Sequence, residues 1–148
     1  MTRRTMLLAL AAARAGAVDP ASEVWNVLTA MANALSASDS AAFLLFFDSS
    51  MPGFDSFRLA VAGLLNEFSV ESSINPLQNE GDNRSRTLEV DWSMRLVSLN
   101  DLDEVVPRET NVTLKLERRG KKWKVVSFQP ANFFQAPPHG GLPPQPKL

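Results

Sequence analysis

The chain contains no cysteine and no tyrosine, and its one histidine is His139, close to the C-terminal end. Without cysteine there is no disulfide framework, no thiolate metal site, no sulfur nucleophile and no lipoprotein attachment point. Without tyrosine or a second histidine, acid–base chemistry falls to carboxylates. A strong charge of either sign is also missing. Fifteen basic residues meet 16 acidic ones, a formal net charge of -1, so no global basic field draws nucleic acid. The longest apolar run, Met6–Ala13, is too short to span a bilayer as a helix. What remains is a chain of 148 residues, 45% hydrophobic, sized for one domain with one core.

The first 17 residues read as an export signal rather than as fold. Arg3 and Arg4 precede the apolar run, and Ala15-Gly16-Ala17 has the small-residue spacing of a cleavage site near Ala17. Thr2-Arg3-Arg4-Thr5-Met6-Leu7-Leu8 is also similar to a twin-arginine signal, so the export route stays open. Cleavage would remove Arg3, Arg4 and Arg14 and leave the mature chain mildly acidic. At the other end, 136–148 holds five prolines, two glycines and His139, the composition of a disordered tail. The domain is expected over 18–135.

Helical spacing comes first along that domain. Asp19-Pro20 starts a helix with a cap and a proline at the first position. Val24, Trp25, Leu28, Met31, Ala32 and Leu35 form its apolar stripe. Asp39 caps a second helix, Ser40–Phe47, and Asp55 starts a third bearing Phe57, Val61, Leu64, Leu65 and Phe68. After Phe68 the period becomes two. Strands are expected from Val70 towards Leu77, then over Thr87–Leu99, Asn111–Arg118 and Trp123–Gln129. Asn79–Asn83 and Arg119-Gly120-Lys121 read as turns, and Asn100–Glu104 as an acidic loop. Three helices followed by four antiparallel strands make an α+β domain with a curved sheet wrapped on its helices.

Three stretches carry a family resemblance. VWNVLTAMANALSASDSAAFLLFF, LEVDWSMRL and LKLERRGKKWKVVSFQP resemble the opening helices, cone-lining strand and closing hairpin of the nuclear transport factor 2-like superfamily, also called SnoaL-like or cystatin-like cones. The resemblance covers roughly residues 20 to 134. It implies a conical domain, often dimeric, with a pocket between the concave sheet face and the helices. It also implies a choice of activities, since the superfamily holds isomerases, dehydratases, cyclases and members that only bind or scaffold. Ketosteroid-isomerase-like members use a pocket aspartate and an oxyanion-hole tyrosine, and scytalone-dehydratase-like members use tyrosines, histidines and an aspartate. This composition supplies neither set. A SnoaL-like lyase, isomerase or cyclase needs little more than a pocket aspartate, and Asp39, Asp48, Asp55 and Asp91 are the candidates.

Each of these has a plainer account. Asp39 suits a helix cap, and Asp48 and Asp55 suit the loop between helices. Asp91 shares a strand face with Glu89, Ser93 and Arg95, opposite Leu88, Val90, Trp92, Met94 and Leu96. With the apolar set inward, Asp91 lies on the outer face, partly paired with Arg95. The first expectation is therefore a non-enzymatic binding or scaffold domain with no catalytic residue. Its small hydrophobic ligand would sit in an apolar pocket lined by Trp25, Met31, Phe57, Trp92 and Met94, and a homodimer would form through the outer sheet face. The lyase, isomerase or cyclase is the alternative. No cofactor or metal is expected: Asp101, Asp103 and Glu104 lack the ordered spacing of a calcium loop. Nor is nucleic acid, because the basic hairpin Arg118–Lys124 offers one tryptophan and no stacking platform. Asn83-Arg84-Ser85 and Asn111-Val112-Thr113 match glycosylation acceptors without further support.

Overall fold

The structure, a computed structural model, describes residues 19–101 and 103–137. The export signal and most of the proline-rich tail with His139 lie outside the described residues. Three helices precede one antiparallel sheet, in the order α1 (Pro20–Ser36), α2 (Ser40–Leu44), α3 (Phe54–Glu67), β1 (Phe68–Gly81), β2 (Ser85–Ser98), β3 (Val105–Arg119) and β4 (Lys122–Gln129). The strands pair in sequence order, so the sheet is a meander of hairpins. The expected α+β layout is the one observed.

The helix starts follow local chemistry. Asp19 accepts from the Ser22 amide at 2.8 Å, and Pro20 stands first in α1. Asp39 accepts from the Ala42 amide at 3.0 Å and caps α2. Gly53, with φ of 74°, leads into α3 one residue before the expected start at Asp55. Each long helix buries a single stripe: Val24, Leu28, Met31 and Leu35 on α1, and Phe57, Val61, Leu64 and Leu65 on α3.

Phe68 opens β1 rather than closing α3, and β3 begins at Val105 rather than Asn111; two further elements differ from expectation. α2 stops at Leu44 instead of reaching Phe47. The backbone of Phe46–Asp48 is taken by the free edge of β4: Val125 N donates to Phe46 O at 2.8 Å, and Asp48 N donates to Val125 O at 2.9 Å. An unpaired strand edge exposes such groups, and pairing them outweighs one more helical turn. The second difference is β1, which runs to Gly81, so that Asn79 and Glu80 pair with Leu88 and Thr87 rather than forming the turn. Gly81 has φ of 140°, and a Cβ there would lie 2.3 Å from Ser85 O, so the narrow reversal depends on glycine. Arg86, 8% exposed, locks the same corner by donating to the Asn79 side chain at 2.8 Å and the Asn79 carbonyl at 3.0 Å. Asn79 in turn donates to Ala21 O at 3.0 Å, tying the hairpin to the start of α1.

Both strand prolines sit where no ladder bond is lost. Pro76 adjoins a bulge in edge strand β1, and Pro107 lies in β3 before its pairing with β4 begins at Thr113. β2 alternates as its sequence does: Leu88, Val90, Trp92, Met94 and Leu96 are buried, while Glu89, Asp91 and Ser93 are half-buried on the other face.

Rings fill the space between sheet and helices. Phe43 from α2 lies 5.1 Å from Phe47, and Phe47 lies 4.7 Å from Phe57 of α3. From the sheet, Trp92 and Phe128 meet edge to face at 5.9 Å. After β4 the chain turns at Ala131-Asn132 and drives Phe133 and Phe134 into the same cluster. Phe134 has no exposed surface, and its ring stands 5.6 Å from Trp92 at 83°.

Candidate functional site

Among the described residues, a large hollow with an apolar floor lies outside the ring cluster. α1 contributes Glu23, Asn26 and Val27, α2 and its exit contribute Ala42, Leu45 and Phe46, and the β3–β4 hairpin contributes Lys121–Lys124. Its volume is about 550 Å³, within the range of ~300–1,000 Å³ usual for small-ligand sites. The hairpin reaches α1 through one carboxylate. Glu23 Oε1 accepts from Arg118 Nη2 at 2.8 Å and from Trp123 Nε1 at 3.0 Å. These two bonds hold the Glu23 carboxyl below its ordinary range, the Trp123 bond contributing most. The Arg118 guanidinium also lies 4.6 Å over the Trp123 ring. Lys124 donates to Leu45 O and closes the α2 end.

A second hollow, about 220 Å³, opens where α3 meets the end of β4, between Phe57, Ala60, Phe128 and Asn132. Beside it Arg108 points from the inner face of β3 at the segment that follows β4. Its Nη1 donates to Phe133 O at 2.6 Å and Gln135 O at 2.7 Å. Burial lowers the Arg108 pKa. The two carbonyls thus hold a partly desolvated cation and fix the backbone that seats Phe133 and Phe134.

No family model matches the sequence, and no curated protein matches it. Solved structures do match. A conserved protein from Planctomyces limnophilus superposes with a TM-score of 0.65 at 10% identity, over 72% of this chain and 90% of that one. A nuclear transport factor 2-like superfamily protein from Salmonella enterica gives 0.60 at 11%, over 73% and 87%. A cystatin-like-fold protein of unknown function from Nostoc punctiforme gives 0.56 at 17%, over 72% and 85%. The chain has the nuclear transport factor 2-like fold. At these identities the likeness extends to the fold and not to any activity.

Within this nuclear transport factor 2-like cone, the expected pocket residues take different places. Met31, Trp92 and Met94 are buried in the core, and Trp25 is half-buried against it. Phe57 borders the smaller hollow. Trp92 is fully enclosed, and its Nε1 donates to Ser72 Oγ at 3.2 Å. The five do not converge on one cavity. Val27, Ala42, Phe46 and Trp123, which line the larger groove, come from the consecutive helices α1 and α2 with its exit and from the distant strand β4.

The four aspartates lie at the periphery. Asp39 is an exposed cap. Asp55 sits in the first turn of α3, 3.8 Å from Arg58 and largely exposed. Asp48 accepts from the Ser50 hydroxyl at 2.6 Å, the Ser50 amide at 2.8 Å and Arg119 Nε at 2.9 Å. The Ser50 bonds, with Arg119 behind them, lower its pKa to about 2. Asp91 is on the outer face, and the expected pairing with Arg95 is replaced. Arg95 reaches its cross-strand neighbour Glu71 at 3.6 Å, while the Asp91 carboxylate, diagonal to Glu109 across the ladder, raises the Glu109 pKa.

Two outcomes follow. Asp91→Asn should change stability by less than about 0.5 kcal/mol, because it removes one of two like charges on a half-exposed face; chemical denaturation checks this, and a loss several times larger would mean a buried, paired carboxylate. For Asp48 the folded pKa lies below the ordinary 3.8. Its stabilising contribution is complete above 3.8 and disappears as the pH falls towards about 2. Asp48→Asn should therefore be less stable than the wild type at neutral pH, and urea midpoints should converge as the pH approaches 2. A gap that stays constant with pH would remove the ionised carboxylate from the account.

Proposed function

We propose that this chain is an exported, non-enzymatic binding module whose small hydrophobic ligand lies in the groove between α1, α2 and the β3–β4 hairpin. The observation that carries this reading is the contrast between the two spaces. The cone's centre is occupied by Phe134, Trp92 and their neighbouring rings, whereas the groove of about 550 Å³ is open and floored by Val27, Ala42, Phe46 and Trp123. The aspartates take no catalytic part in this reading. Asp48, the one with the richest hydrogen bonding, has a pKa of about 2, which makes its carboxylate a feeble proton acceptor near neutral pH. Among the described residues no three His, Cys, Asp or Glu side chains gather as a metal site, and no helix is long and apolar enough to cross a membrane. A homodimer through the outer face of the sheet belongs to the same proposal, and light scattering on the purified domain tests it.

The ligand is tested by thermal shift on the processed chain, since a specific binder raises the melting temperature by mass action. Apolar molecules of groove size should raise it for the wild type and not for Ala42→Trp, which fills the groove from α2. If Ala42→Trp responds as the wild type does, the ligand sits elsewhere. N-terminal mass analysis of exported material checks processing near Ala17.

A further inference from the structure

The groove has two unlike walls. α1 and α2 supply Val27, Ala42, Leu45 and Phe46, and Leu45 remains 70% exposed although it is a large apolar side chain. Such a side chain held open beside other apolar groups is a surface that a ligand would cover. The hairpin wall is basic: Lys121, Lys122 and Lys124 all border the groove. Lys124 is engaged with Leu45 O. Lys121 and Lys122 are exposed and form no ion pair among the described residues. The one acidic residue of the groove, Glu23, is already compensated by Arg118 at 2.8 Å and by the Trp123 N–H. The positive end of the groove is therefore not neutralised from within, although the chain as a whole is slightly acidic.

From this charge arrangement we infer that the groove takes a single-chain anionic amphiphile, a free fatty-acid-type carboxylate. Its apolar chain lies against Val27, Ala42, Leu45 and Phe46, and its head group meets Lys121 and Lys122. This rests on the groove being the ligand site and adds the chemical class. A neutral apolar molecule would leave the lysines unused. A carboxylate on a hydrocarbon chain satisfies both walls at once, and a lysine head on a flexible stem follows it without strict geometry. Partial screening by solvent keeps the head-group contribution moderate and salt-dependent.

Calorimetric titration of the processed chain with decanoate and with decanol, both below their aggregation limits, tests this. Decanoate should bind about tenfold or more tightly than decanol, a difference of about 1.4 kcal/mol. Raising the salt should narrow the difference. The double variant Lys121→Gln/Lys122→Gln should bring decanoate to the affinity of decanol and leave decanol unchanged, which also shows that the variant is folded. Equal binding of the two probes to the wild type, or a variant that still prefers decanoate, overturns the head-group assignment while leaving the groove as a ligand site. Failure of both probes to bind overturns the groove reading and this inference with it. Binding to vesicles of phosphatidylglycerol without binding of monomeric decanoate overturns it in favour of a membrane surface.

Discussion

Phe134→Ala should lower the stability of the domain by about 3–5 kcal/mol, the range for deleting a fully buried phenylalanine ring. The ring has no exposed surface and touches aromatic neighbours on every side: Phe43 at 5.2 Å, Phe128 at 5.3 Å, Trp92 at 5.6 Å and Phe57 at 5.7 Å. Those neighbours come from α2, α3, β2 and β4, so one side chain joins four elements. Its backbone cannot easily follow the collapse, because Arg108 holds Phe133 O and Gln135 O. A site that cannot collapse lies at the costly end of the range, since the cavity persists. Equilibrium denaturation of the variant measures the loss. A second readout separates a cavity from a loosened terminus: an apolar hole walled by rings takes up benzene, and benzene should recover part of the lost stability. A loss below about 1 kcal/mol would mean that the segment after β4 does not seat in the cone.

That segment also marks what periodicity can and cannot disclose. The stripe Val24, Leu28, Met31 and Leu35 and the alternation from Leu88 to Leu96 each repeat with the geometry of one element, so both are legible in the chain. Phe133 and Phe134 are adjacent, follow a proline and belong to no helix or strand. Their burial is decided by the space that α2, α3 and the sheet leave at the centre. The end of α2 is a similar case, because the groups that compete for Phe46 and Asp48 lie on β4, far along the chain. The groove was hidden for the same reason. Lys121 and Lys122 look like an ordinary solvated turn until α1 and α2 place Val27 and Phe46 beside them. Asp91 went the other way. Strand alternation was enough to put it outside, but its partner depended on register. Arg95 lies across from Glu71, and Ser93 pairs with Glu109, which sets Glu109 diagonal to Asp91.

Trp92→Ala should cost about 3–5 kcal/mol as well, and the comparison with Trp92→Phe gives the result its meaning. Trp92 is fully buried at the middle of the longest buried strand face, opposite Ile74 and Thr110. It meets Phe128, Phe133 and Phe134 edge to face between 5.6 and 5.9 Å, an arrangement that contributes beyond the area buried. If the cone were an open pocket with Trp92 as its wall, removing the indole would enlarge the pocket and cost little. The enclosed ring instead predicts a cost close to that of Phe134→Ala. Trp92→Phe keeps most of the ring contacts and loses the bond from Nε1 to Ser72 Oγ, worth about 1 kcal/mol. Its loss should therefore be less than half that of the alanine variant. The double variant Trp92→Ala/Phe134→Ala should lose less than the sum of the two, because each single change already removes their mutual contact. Strict additivity in that cycle would mean that the two rings do not pack on each other, and the centre of the cone would then have room for a ligand.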